Sequence, residues 1–162
     1  MVFARSKFIR RGAGFGIISG VITTLGLFIG VYYSTSSLLA VIAGIISIAV
    51  ADAFSDSLGM HISEETMTKS QKGVWKTTIS TFVAKLLVAM SFLIPVLFFD
   101  INIAIILSLV YGYSIISIYS YFIAKKDKKN PLCVIGEHTA ITTIVLLIVY
   151  FVGVALNPMF VI

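Results

Sequence analysis

Two carboxylates stand in the middle of an apolar run. The stretch AGIISIAVADAFSDSLGMHISEE, Ala43 to Glu65, carries Asp52 and Asp56 four residues apart. In a helix they share one face, and Met60, Ser63 and Glu64 continue the same stripe at helical spacing. Oxygen donors with one thioether on one side of a helix are chemistry for a cation. Keeping an aspartate deep in hydrocarbon costs roughly 2.5–3.5 kcal/mol on insertion scales, so each such carboxylate needs a partner. The alternative for Asp56 is that it reaches the headgroup zone from about two turns inside the helix end.

Lys85 is the natural partner. It lies in the apolar run Thr77–Phe99, about ten residues from the end nearer the lysines, or ~15 Å deep at 1.5 Å per residue. Asp52 lies at a similar depth, and opposite charges isolated in lipid find each other. Three readings of Lys85 stay open. It forms a structural ion pair with Asp52; it is a tethered cation that leaves the carboxylates when a metal or proton arrives; or its permanent charge repels divalent ions.

The elements that hold these side chains follow from composition. The chain has 162 residues, 59% of them hydrophobic and 12% charged, with a net charge of +5 and strongly positive mean hydropathy. That excludes an ordinary soluble domain and a basic nucleic-acid-binding surface. Cys133 is the single cysteine, so no intrachain disulfide or thiol cluster is available. A bilayer-spanning helix needs about 20 apolar residues, and five segments qualify, near 13–34, 37–62, 74–99, 101–124 and 137–158. The expected fold is all-α, a single transmembrane domain of five helices lying in a lipid bilayer. The basic N-terminus precedes a long apolar run without a small-residue cleavage site, which reads as a retained first helix.

Charge placement sets the expected orientation. Arg5, Lys7, Arg10 and Arg11 precede the first span; Lys69, Lys72 and Lys76 follow the second; Lys125, Lys126, Lys128 and Lys129 follow the fourth. The other connections and the tail carry no Lys or Arg. The positive-inside rule then puts the N-terminus in and the C-terminus out, in the cell membrane by default.

Glycine marks the first helix. Gly12, Gly16 and Gly20 recur every four residues, and Gly26 and Gly30 repeat the spacing. Bare backbone at that interval admits another helix closely, either within the chain or as the seam of a homodimer.

The first two helices carry a resemblance. Gly16-Ile-Ile-Ser-Gly-Val-Ile-Thr and Ala51-Asp-Ala-Phe-Ser-Asp-Ser-Leu-Gly-Met-His-Ile-Ser resemble the vacuolar iron transporter family, which moves ferrous iron and manganese out of the cytosol. The family's patterns read G-x-x-D-G-x-x-T and A-D-G-F-S-M-G-x-G-x-Y-L-S. Gly16, Gly20 and Thr23 match the first, and Ala51, Asp52, Phe54, Ser55, Gly59 and Ser63 match the second. A proline near the outer end of the third helix, here Pro95, fits as well. The resemblance implies a dimer whose first helices flank a metal path, with protons as counter-ion. Two positions depart from it: the first-helix aspartate is Ser19 and the second-helix methionine is Asp56, which moves a carboxylate from one wall to its neighbour. The glutamate-rich domain of eukaryotic members has no counterpart in the short segment Glu65–Lys76.

The expected function is therefore export of ferrous iron or manganese by proton antiport. Oxygen donors with one thioether suit these ions better than copper(I) or zinc, although affinity order alone favours zinc. Asp52 and Asp56 are the expected metal ligands, with Met60 and Ser19 secondary and Glu64 at the entrance. Glu65, Glu137 and His138, with His61, are candidates for a cytoplasmic vestibule; Glu137 equally suits the positive end of a helix dipole. No permanently bound cofactor is expected. No nucleophile–base set, phosphate loop or HExxH pattern points to an enzyme. The rival functions are a membrane scaffold with a structural Asp52–Lys85 pair and a transporter of another small cation.

Overall fold

The computed structural model describes residues 2–160, with side chains from Lys7 onward. Every regular element among them is a helix: α1 (Val2–Thr35), α2 (Leu38–Met67), α3 (Gln71–Ser91), α4 (Leu93–Phe98), α5 (Ile101–Lys126) and α6 (Pro131–Phe160). Five stretches are long and apolar enough to cross a membrane, α3 and α4 together forming one of them, Gln71–Phe98. This is an all-α, multi-pass membrane protein. The helices run past the lengths expected from apolar residues alone, because their polar ends keep helical hydrogen bonding beyond the hydrocarbon.

Local chemistry explains the breaks. Pro95 has no N–H to give the Ser91 carbonyl and its ring crowds that carbonyl, so α3 ends at Ser91 and the span resumes as α4. Between α1 and α2, Ser36 adopts a left-handed conformation with φ 52°, and its N–H closes on the Tyr32 carbonyl at 2.8 Å, a helix-ending geometry. Ser37 then caps α2, its hydroxyl accepting from the Ala40 N–H at 3.2 Å. Ser70 does the same for α3, accepting from Gly73 N–H at 3.3 Å. Asn130 accepts from Leu132 N–H at 3.0 Å at the start of α6, with Pro131 in the first helical position.

The chain forms two compact units, Met1–Gly20 with Ile46–Ser91, and Val21–Ile45 with Phe92–Ile162. In the first, α3 turns Gly73, Thr77, Thr81, Lys85 and Ala89 inward, one residue per four. Gly12 and Gly16 of α1 face that strip. A Cβ on Gly12 would collide with the Thr77 carbonyl oxygen, and one on Gly16 would lie 2.5 Å from that of Thr81. Both numbers rise by four in step, so α1 and α3 run parallel with their backbones in contact. The buried threonines satisfy themselves on their own helix, Thr77 donating to Gly73 O at 3.3 Å and Thr81 to Thr77 O at 2.9 Å.

In the second unit the core is Phe28, Val41, Ile45, Val96 and Ala104. Gly30 meets Val149 of α6, where a Cβ would come within 2.6 Å of its side chain, and Gly26 faces the same valine. Asn157 near the end of α6 donates to the Tyr33 carbonyl at 3.2 Å. The dimer seam expected on Gly12, Gly16, Gly20, Gly26 and Gly30 is thus taken up inside one chain. The physical reason is that α3 and α6 supply the close helices these glycines admit.

Candidate functional site

The first unit brings Ser19, Asp52, Asp56 and Lys85 to one place. Gly20 makes this geometry: with no side chain there, the Lys85 backbone lies against α1, and a Cβ on Gly20 would sit 3.3 Å from the Lys85 carbonyl oxygen. The lysine side chain then has only the α1–α2 seam to enter. It is 1% exposed, while Asp52 and Asp56 are 24% and 21% exposed. The cation is sealed in and the carboxylates border an open side.

Three oxygens meet the ammonium. Lys85 Nζ donates to Ser19 Oγ at 2.8 Å and to Asp56 Oδ2, and lies 2.5 Å from Asp52 Oδ2. Ser19 donates to the same Asp56 oxygen at 2.6 Å. The Asp52 contact is one of charge, since its Oδ2 is buried without a directed hydrogen bond. Two of the ammonium's three N–H groups thus have an oxygen to donate to, and the second carboxylate stands beside them as a charge. With all three groups ionised, the cluster carries two negative charges against one positive. Lys85 lies about 21 Å along α3, within the span, so a surplus charge here is costly.

A second ion pair lies on the same α1–α2 seam. Arg11 Nη1 donates to both oxygens of Glu64 at 3.1 Å, and Glu64 is 3% exposed against 43% for Arg11. The residue numbers of Ser19–Asp56 and Arg11–Glu64 shift by eight in opposite senses, as antiparallel helices require, which puts the layers about 12 Å apart. Glu64, expected at a metal entrance, is committed to arginine. That pairing is not readable in the sequence, although both residues stand at the charged end of their helices; there Arg11 is only one of a basic cluster.

The other candidates scatter. Met60 is partly exposed on α2, one turn beyond Asp56. His61 Nδ1 lies 2.8 Å from Thr78 Oγ1. Because Thr78 gives its own hydrogen to Val74 O at 2.9 Å, the histidine must be the donor there. Its Nε2 then faces Glu65 Oε1 at 3.6 Å. Glu137 and His138 belong to the second unit. His138 meets buried Ser120 at 2.7 Å and Glu137 is exposed. Among the described residues no three His, Cys, Asp or Glu side chains converge as a metal cage.

What the Lys85 cluster can do is hold one cation by oxygen. Two carboxylates and a hydroxyl suit an ammonium, a proton or a hard divalent ion. Comparison with family models, with curated proteins and with solved structures gave no match to this chain.

Proposed function

We propose that this protein is a membrane transporter that exports ferrous iron or manganese from the cytoplasm in exchange for protons. Lys85 occupies the site when cargo is absent. The observation that carries the reading is the Lys85 ammonium set between Asp52 and Asp56. Charge balance makes it a switch. The ammonium plus one proton neutralises the two carboxylates, and so does one divalent ion once the ammonium has withdrawn. Each state is neutral in hydrocarbon, whereas metal and ammonium together leave a net positive charge. The cluster thus favours one cation or the other, the condition for exchange.

The resemblance of the first two helices to the vacuolar iron transporter family supports this cargo and its direction. The lysine and arginine clusters at residues 5–11, 69–76 and 125–129 support an inside N-terminus and an outside C-terminus in the cell membrane. The homodimer implied by the resemblance would use a face other than the glycine strips, which α3 and α6 cover.

The test is metal uptake by proteoliposomes with a pH-sensitive dye inside, comparing wild type with Asp56→Ala. Manganese- or iron-driven proton movement that vanishes in the variant is the expected result. Absence of flux for either metal from folded protein overturns the reading. One observation favours a structural pair instead: Lys85 is 1% exposed, as a lysine locking helices would be. Lys85→Met separates the two by metal rescue: either reading loses folded protein when no metal is present, but only an exchanging site leaves carboxylates that bind added manganese and recover the fold.

A further inference from the structure

One side of the α2–α3 pair holds a groove of about 610 Å³, lined chiefly by Phe54, Leu58 and His61 of α2 and Trp75, Ile79 and Phe82 of α3. Its polar atoms are turned on each other, His61 on Thr78. Phe54, Leu58, Trp75 and Ile79 are each more than half exposed, and all lie inside the spanning stretches Leu38–Met67 and Gln71–Phe98. The groove therefore opens onto hydrocarbon. From Trp75 to Phe82 it runs about 10 Å along the helix, some two thirds of the ~15 Å hydrocarbon depth of one leaflet.

One end of the groove is basic. Lys72 and Lys76 flank Trp75 on α3, and Lys69 lies in the connection just before that helix. The salt bridges of the described residues include none of the three. The acids nearby are engaged, Glu64 by Arg11 and Glu65 beside His61. Trp75 and His61 meet edge to face at 4.9 Å, an amphipathic pair at the level where tryptophan favours the interface.

We infer that this groove binds one anionic phospholipid, an acyl chain lying over Leu58, Trp75 and Ile79 as far as the packed rings of Phe54 and Phe82 and the phosphate held by Lys69, Lys72 and Lys76. The lysine stems run along apolar surface while their ammonium groups reach the headgroup. A second copy in the same membrane orientation would meet these lysines with its own, so it fits the charge less well. The site is independent of what the protein transports.

Trp75 is the only tryptophan in the chain, so its fluorescence reads the groove directly. The full-length protein is reconstituted in phosphatidylcholine vesicles containing bromine-labelled phosphatidylglycerol, and separately with the label on phosphatidylcholine. Each lysine near an anionic headgroup is worth roughly fivefold in affinity. The expected result is at least fivefold stronger association of labelled phosphatidylglycerol, falling toward parity in high salt and in the triple variant Lys69→Gln/Lys72→Gln/Lys76→Gln. If the variant does not reconstitute, the salt titration of the wild type carries the decision. Equal quenching by both lipids overturns the inference, leaving only boundary lipid. No quenching by either also overturns it, because a protein surface then covers the groove.

Discussion

Gly20 and Lys85 touch across two helices: a Cβ on Gly20 would lie 3.3 Å from the Lys85 carbonyl oxygen and 3.4 Å from its Cγ. The missing side chain on α1 is what lets α3 carry an ammonium into the seam between α1 and α2. The site's chemistry thus begins with a glycine. The strip it belongs to is more crowded at Gly16, and most of all at Gly12.

Gly16→Ala drives a methyl to 2.5 Å of the Thr81 carbonyl oxygen, and backbone must move. The expected loss is about 1–3 kcal/mol. Gly59, by contrast, faces open space, with nothing within 4 Å of where a Cβ would stand. Gly59→Ala should raise stability by up to about 1 kcal/mol through helix propensity. Thermal unfolding in detergent, read by circular dichroism, compares the two; equal effects would show that α3 does not press on the Gly16 strip.

The charges of the cluster predict an asymmetry. Asp52→Asn or Asp56→Asn leaves one carboxylate with Lys85, a neutral pair. Lys85→Met leaves two carboxylates without a cation, at a cost of about 3–5 kcal/mol. Yield of folded protein by size-exclusion chromatography should fall sharply for Lys85→Met alone and recover in the triple variant Lys85→Met/Asp52→Asn/Asp56→Asn. A triple variant no better than Lys85→Met would sink the charge argument.

Arg11 and Glu64 should respond unequally to truncation. Arg11→Ala strands a carboxylate that is 3% exposed, whereas Glu64→Ala frees a guanidinium that is 43% exposed. With the exposed partner's screening allowed for, the first should cost about 1–3 kcal/mol and the second less. A double-mutant cycle read by chemical unfolding checks the order, and Arg11→Ala/Glu64→Gln should recover part of the loss.

Ser36 offers a gain. Its φ of 52° is a conformation that costs an L-residue about 1–2 kcal/mol and glycine little. Ser36→Gly should therefore match or exceed the wild type in thermal stability, while Ser36→Val should lower it. A stabilised valine variant would mean that the turn is not left-handed.

Much of the architecture is legible in the sequence because hydrocarbon imposes simple rules. The apolar runs give the five spans, and matched depth alone brings Asp52 to Lys85. Which neighbours complete the cluster is not legible from depth, since that depends on helix rotation. Ser19 is a suspected ligand only through the resemblance, and its 2.6 Å bond to Asp56 needs the α1–α2 register. The glycine spacing announces close packing without naming the partner helix. Pro95 is visible as a residue, yet the end of α3 four residues before it, at Ser91, follows from the N–H that proline lacks.

A strip of small residues repeating every four positions has no memory of which turn it is on. Sliding α3 along α1 by one turn, about 5.4 Å, would set small residue against small residue again. Steric fit alone therefore leaves α1 and α3 with a choice of settings, like a ruler with unnumbered marks. The charges number the marks, because only one setting brings Lys85 to both Asp52 and Asp56. A buried polar contact serves best as a key of this kind.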